Sequence, residues 1–302
     1  AVIENYHASL GEPESLKKIN LKDFDDILET QKDSKKYRPT LYDFLAHRAL
    51  DFFRNDESSI IQPAFRFELD NEDYFSNAAD FARLKIETKD TLSLKFYAVE
   101  ILQDLISFHL SDKDPVALID ADLIRLDFVR DHSTLELKDS LYLASLLAQE
   151  DKYASNPAIA MTGYKIAEEY SRRGDLFKPM VSDQYKWDKK KASDKCKNVI
   201  DKYPNTDGAK NCKVLLGQLE RQTIGLTMES VNLPDKPILA LAAFRNTPKL
   251  WFKVIQISFE EERNLRNEYE NTRDLLVKYN AMPTVKSWSL DIPGDGDMQD
   301  HA

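Results

Sequence analysis

Between Gly11 and Gly163 the chain contains no glycine. A phosphate-cradling loop, a glycine-cornered hairpin and a nucleophile elbow each need backbone that a residue with a Cβ adopts poorly, so that span holds none of them. Only 8 glycines occur in 302 residues, against an average usage of about 7%. The first two thirds of the chain is therefore expected to be helical, with helices started and stopped by caps.

Thr40-Leu41-Tyr42-Asp43 places a hydroxyl where it accepts the orphan amide three residues on, and a carboxylate in the positive first turn. The spacing predicts a helix to about Arg54, with Leu41, Phe44, Leu45, Ala49, Phe52 and Phe53 on one stripe and His47-Arg48 beside it. A longer amphipathic stretch runs from Lys89 to Leu110. Asp114-Pro115 reads as an N-cap followed by proline at the first helical position, opening a helix to about Arg130. Ser133-Thr134-Leu135-Glu136 reads as a capping box for a helix to about Gln149, and Asn156-Pro157 repeats the cap-plus-proline device. The segment Ile60 to Ile86 is expected to be loop plus short helix. Helices of this length are not stable alone, so they must stack as a bundle or solenoid.

Gly163-Tyr164-Lys165-Ile166-Ala167-Glu168-Glu169-Tyr170, followed by Gly174-Asp175, resembles the first helix of a tetratricopeptide repeat. Ala192, Cys196, Val199, Tyr203 and Pro204 supply the small, bulky and terminating positions of its second helix, after an insertion from Leu176 to Lys186. Asn205-Thr206 then caps a further helix through Leu219. The resemblance implies a groove that binds peptides or neighbouring domains, with Tyr164, Tyr170, Tyr185 and Trp187 as a possible interaction surface. Ordinary helix hairpins with small residues at their crossings would carry the same pattern. The basic run Lys186, Lys189, Lys190, Lys191, Lys195, Lys197 reads as the exposed side of one helix, with an anion or partner patch as the other possibility.

Cys196 and Cys212 lie equally far on either side of Pro204. In an antiparallel hairpin turning there they should be level. A disulfide needs Cα atoms within about 7 Å, closer than the roughly 8–10 Å between typical helix axes. Ala192, Gly208 and Ala209 are small enough to allow it. Two buried free thiols acting as small hydrophobes are the other reading. Two thiols without a nearby histidine do not make a zinc site.

After Arg221 the period changes from helical to alternating, which marks a domain boundary. Thr223 to Val231, Ile238 to Arg245, Lys249 to Ser258 and Val285 to Ile292 read as strands, with Leu250, Phe252 and Val254 on one face and Trp251, Lys253 and Ile255 on the other. Phe259 to Tyr279 reads as a charged helical insertion. Four strands are too few to close a sandwich, so a truncated β domain and a longer parent polypeptide are expected.

Val231-Asn232-Leu233-Pro234, Leu239-Ala240-Leu241, Phe244-Arg245-Asn246 and Leu250-Trp251-Phe252-Lys253-Val254 resemble the first macroglobulin-type β-sandwich domain of the large α2-macroglobulin family proteins of Bacteroidetes. Arg38-Pro39-Thr40-Leu41-Tyr42-Asp43-Phe44-Leu45-Ala46-His47-Arg48-Ala49-Leu50 resembles the helical region that precedes that domain. The resemblance implies a secreted protein, periplasmic or at the cell surface, often a lipoprotein, whose general role is trapping or inhibiting proteases. The family's Cys-Gly-Glu-Gln thioester does not fall here, because Cys196 is followed by Lys197-Asn198 and Cys212 by Lys213-Val214.

Forty-two basic against 52 acidic residues, a net charge of −10 and a pI near 5.2 have the wrong sign for a partner with a phosphate backbone. No apolar run approaches the roughly 20 residues of a membrane span. The histidines His7, His47, His109, His132 and His301 show no metal-binding spacing and read as surface or satisfied core residues. Asp120, Asp122 and Asp127 fall on polar positions between Leu118, Leu123, Leu126 and Phe128 and read as a solvated face. Asp295-Gly296-Asp297 lacks the remaining ligands of a calcium loop and reads as a turn at a strand end.

These readings combine into an α+β, multidomain, non-enzymatic chain with no cofactor and no metal. An α-helical bundle or solenoid is expected over 1–222, with tetratricopeptide-like hairpins at about 157–220. A macroglobulin-like, apparently truncated antiparallel β-sandwich domain follows over 223–302, with its helical insertion at about 259–279. Expected partners are proteins, either proteases or other domains of the same full-length chain; no nucleic acid is expected, and membrane contact only through an anchor outside this stretch. The alternative is a tetratricopeptide-like binding scaffold of the bacterial envelope.

Overall fold

The structure is a computed structural model that describes residues 2–29, 34–54, 65–229, 231–233, 236–269, 271–292 and 294–302. Among these the chain is mixed α+β. Its helices are α1 (Val2–Ser9), α2 (Pro13–Leu16), α3 (Ser34–Tyr37), α4 (Leu41–Phe53), α5 (Ala78–Phe81), α6 (Leu94–His109), α7 (Val116–His132), α8 (Lys138–Lys152), α9 (Ala160–Gly174), α10 (Asp188–Lys202), α11 (Asp207–Leu219), α12 (Phe259–Glu268) and α13 (Thr272–Ala281). Its strands are β1 (Thr223–Met228), β2 (Ala240–Arg245), β3 (Lys249–Ile255) and β4 (Thr284–Asp291). Two compact units result: Ala1–Arg172 with Lys191–Leu216, and Arg173–Lys190 with Gly217–Ala302.

In the first unit α4 packs on α6, α6 on α7 and α7 on α8, while α3 also lies against α7. Their shared core holds Phe53, Leu102, Leu105, Leu126, Phe128, Tyr142 and Leu146, all buried. α4 begins with the expected box: Thr40 Oγ1 accepts the Asp43 amide, and Asp43 Oδ2 accepts the Thr40 amide at 2.8 Å. Such a cap contributes about 1 kcal/mol. The predicted Lys89 start moves to Leu94, where Ser93 Oγ accepts the Phe96 amide. Asn156 caps the turn at Pro157 as expected, accepting the Ala158 amide at 2.9 Å. Of the segment 60–86, residues 60–64 lie outside the described residues; beyond them the expected loop and short helix are present, as irregular backbone around a 3-10 turn Glu72–Phe75 and α5.

Two caps do not form as expected. Asp114 makes no cap for α7, because its carboxylate accepts from Asn156 Nδ2 at 3.0 Å, and Pro115 stands at the boundary instead. The Ser133 box is absent as well. Ser133 Oγ donates to the Leu69 carbonyl at 2.8 Å, in a bridge between those two residues, and α8 starts later at Lys138. Asp114 is taken by a tertiary partner, whereas Ser133 Oγ still accepts locally, from the Leu135 amide at 3.2 Å, two residues on, and so makes a turn in place of the box.

The solvated face expected on α7 is also corrected. Asp122 is buried, and Asp120 and Asp127 are half-buried. Neighbours surround this helix, so its polar positions meet protein. Arg125, itself buried, donates to Asp122 Oδ1 and through Nη1 to the Tyr74 carbonyl at 2.7 Å. Gln149 Nε2 donates to Asp122 Oδ2 at 2.8 Å, and Thr162 Oγ1 donates to Gln149 Oε1 at 2.6 Å. Asp127 accepts from Tyr142 and pairs with Lys165 at 3.2 Å.

A second apolar cluster gathers Ile159, Ala160 and Ala167 with Cys196, Val199, Tyr203, Ala209 and Cys212. Small residues set its crossings. A Cβ at Gly163 would lie 2.5 Å from Val199 Cγ2, and one at Gly208 would lie 2.2 Å from the Ala160 carbonyl oxygen.

The second unit holds two separate antiparallel ribbons, β1 with β2 and β3 with β4. Register opposes Ile224 to Phe244, Leu226 to Ala242 and Met228 to Ala240 on one face of the first. In the other, Leu250 opposes Leu290, Phe252 opposes Trp288 and Val254 opposes Lys286, so the predicted Leu250, Phe252 and Val254 do share a face. Phe252 and Trp288 stack with centroids 5.0 Å apart. The helical insertion resolves into α12 and α13. The chain continues past β4: Phe244 and His301 exchange backbone hydrogen bonds of 2.8 Å. Asp295-Gly296-Asp297 is a turn, with Gly296 at φ +72° and Asp297 Oδ1 accepting the Gln299 amide at 3.0 Å.

Candidate functional site

The first unit holds a partly open cavity of about 470 Å³. Leu21, Phe44, Pro157 and Met161 give it apolar walls, and Arg38 at the end of α3 and Asp120 on α7 supply its opposed charges. Gly208 forms part of the wall because the start of α11 lies against Ala160 there. Burial pushes the Asp120 carboxyl up to about 6, against the opposing pull of Arg38 and His109. Asp120 therefore changes charge near neutral pH. Such a site can hold a small amphipathic group. Among the described residues its lining has no histidine, cysteine or lysine. Sequence reading missed it because Arg38 and Asp120 belong to elements far apart in the chain.

The sequence-selected aromatic residues divide between the two units. Tyr164 and Tyr170 belong to the first unit, Tyr185 and Trp187 to the second. Tyr164 is half-buried beside the cysteine cluster and donates to Glu168 Oε1 at 2.8 Å. Burial, then Glu168, pushes its hydroxyl up to about 12. Tyr170 packs against the main core. Tyr185 adopts φ 65° under the Arg173 guanidinium, 5.0 Å from the ring centroid, whereas Trp187 is exposed with Lys186 over it at 5.5 Å.

No family model matches this chain. No curated protein and no solved structure matches it either. The site's own chemistry is therefore what bears on function.

The basic run is not one exposed face. Lys189 is buried and pairs with Asp175 at 2.9 Å, Lys186 pairs with Asp295 at 2.7 Å, and Lys195 pairs with Glu150 at 2.5 Å. Carboxylates on neighbouring segments thus pair with three of its six lysines. Among the described residues no group of three His, Cys, Asp or Glu side chains is arranged to hold a metal ion. No described helix is long and apolar enough to cross a membrane. Cys196 and Cys212 are both free and buried, in one cluster.

Proposed function

We propose that the chain is a non-enzymatic interaction module, the N-terminal portion of an extracytoplasmic macroglobulin-like protein that acts in protease trapping through its full-length polypeptide. The observation that carries this reading is the exposure of apolar side chains on both β ribbons. On β1 Ile224 is 62% exposed and Met228 53%; on β4 Leu290 is 55% exposed. An isolated two-stranded ribbon is marginal in water and needs further strands or a packed partner over its apolar face. Strands laid on these faces would make each ribbon part of a sandwich layer, the architecture of a macroglobulin-type domain. The motifs around Leu239 and Trp251 support the same reading.

The test is to isolate the native polypeptide that carries this sequence and measure its mass and peptide content. The expected product is several times larger than 34.8 kDa, continues into further β domains, and slows proteolysis of a protein substrate. A native polypeptide of this length alone overturns the reading.

A tetratricopeptide-like scaffold is favoured by one observation, the tight crossings at Gly163 and Gly208. It predicts peptide binding that Tyr164→Ala abolishes while the melting temperature holds.

A further inference from the structure

The chain has only two cysteines, and the fold brings both to one place. Cys196 lies on α10 and Cys212 on α11, and Tyr203-Pro204 turn the chain between them. Both side chains are 0% exposed, in one cluster with Val199, Tyr203 and Ala209. The two thiols share one buried cluster, and each acts on the other, pushing Cys196 up and Cys212 down. An alanine would fill either position as a small apolar group, so packing alone does not call for sulfur against sulfur.

We propose that Cys196 and Cys212 form a dithiol that closes to an intrachain disulfide as the α10–α11 hairpin folds, with a small-molecule or protein disulfide as oxidant. The chemistry balances by exchange. A thiolate from one cysteine attacks the oxidant disulfide, forming a mixed disulfide and releasing one oxidant thiolate. The second cysteine's thiolate attacks the protein sulfur of that mixed disulfide, closing the Cys196–Cys212 bond and releasing the second oxidant thiolate. Two protein thiols are oxidised, one oxidant disulfide is reduced to two thiols, and the two cysteine protons end on those thiols or in solvent. Because both sulfurs are closed to solvent in the folded chain, exchange precedes final packing, and burial then shields the bond from external thiols. The bond would staple α10 to α11 and reduce the freedom of the unfolded chain. This inference is independent of the macroglobulin reading, since it uses the α10–α11 hairpin alone.

The test uses the whole 302-residue chain. It is denatured, reduced and refolded in a buffer of reduced and oxidised glutathione, then acid-quenched, unfolded and alkylated with iodoacetamide. The expected product is monomeric, carries no carbamidomethyl group and is lighter than the reduced chain by two hydrogens. It melts roughly 5–10 °C above the same chain refolded under reductant. Two alkylated thiols, or glutathione held on either cysteine in place of the internal bond, overturn the proposal. An oxidised form melting no higher than the reduced one overturns the staple. Cys196→Ala/Cys212→Ala is expected to lose the redox-dependent shift; should that variant not fold, the unsubstituted chain decides by mass and melting alone.

Discussion

Asp43 on α4 and His109 on α6 are hydrogen bonded across the core, with Oδ1 2.8 Å from Nε2 and both side chains buried. The other carboxylate oxygen of Asp43 holds the Thr40 cap, so one residue both starts α4 and ties it to α6. Asp112 Oδ2 lies 2.7 Å from the remaining ring nitrogen. With acceptors at both nitrogens, the imidazolium is the form that satisfies the site.

The first prediction concerns pH. Burial pulls the His109 ring down, but the hydrogen bonds and charges of Asp43 and Asp112 outweigh it and hold the ring above 6.5. Its contribution to stability is full below pH 6.5 and is lost as pH rises through the raised folded value. His47 has the opposite sign: burial first, then Arg38, lowers it from 6.5 to about 3, despite Asp43. Stability from keeping it neutral is present above 6.5 and is lost as pH falls toward 3. His47→Leu is expected to flatten the acid side of a urea-denaturation profile by a few kcal/mol. An unchanged acid limb would refute this.

Arg125 offers a second test. Its guanidinium pairs with Asp122, reaches the Tyr74 carbonyl and lies 4.8 Å from the Phe81 ring centroid, all in the core. Arg125→Met leaves the Asp122 charge uncompensated and is expected to cost about 3–5 kcal/mol. Adding Asp122→Leu should recover much of that loss, since the orphan charge leaves with it. A double variant no more stable than the single one would show that the partners of Tyr74 and Gln149 matter more.

Glycines in α11 should respond in opposite directions. At Gly208 an added methyl meets the backbone of Ala160. Gly208→Ala is therefore expected to destabilise by several kcal/mol, through a shift of α11 or α9. At Gly217 nothing lies within 4 Å of the added Cβ. Gly217→Ala should be neutral or stabilise by up to about 1 kcal/mol, from helix propensity. Thermal melts of the two variants decide it.

Thr40, Asn156 and Thr206 were legible as caps because each acts within three residues. Leu250, Phe252 and Val254 were legible as one face because alternation alone places them. What sequence concealed was long-range competition. Ser133 is drawn to Leu69, Asp114 to Asn156, and Asp122 to Gln149, partners that no local pattern announces. The cavity was hidden for the same reason, since Arg38 and Asp120 become neighbours only after folding.

The last test concerns the return of the chain to β2. Gln299 Nε2 donates to the Gly174 and Lys186 carbonyls, both at 3.1 Å, beside the backbone pairing of His301 with Phe244. Gln299→Ala is expected to speed amide exchange at Phe244 and His301 at least tenfold, with exchange in the β3–β4 ribbon unchanged. Equal rates at Phe244 and His301 would mean that the side chain does not hold this segment.

α7 packs against α3, α6 and α8, and its Asp122 and Arg125 are paired inward. Its amides should consequently open only when the whole helical unit does, making them the slowest reporters of global unfolding in the chain. Sequence change along it is constrained from several elements at once. A polar substitution tolerated on an ordinary surface helix would here need a compensating change on α6, α8 or the turn at Tyr74.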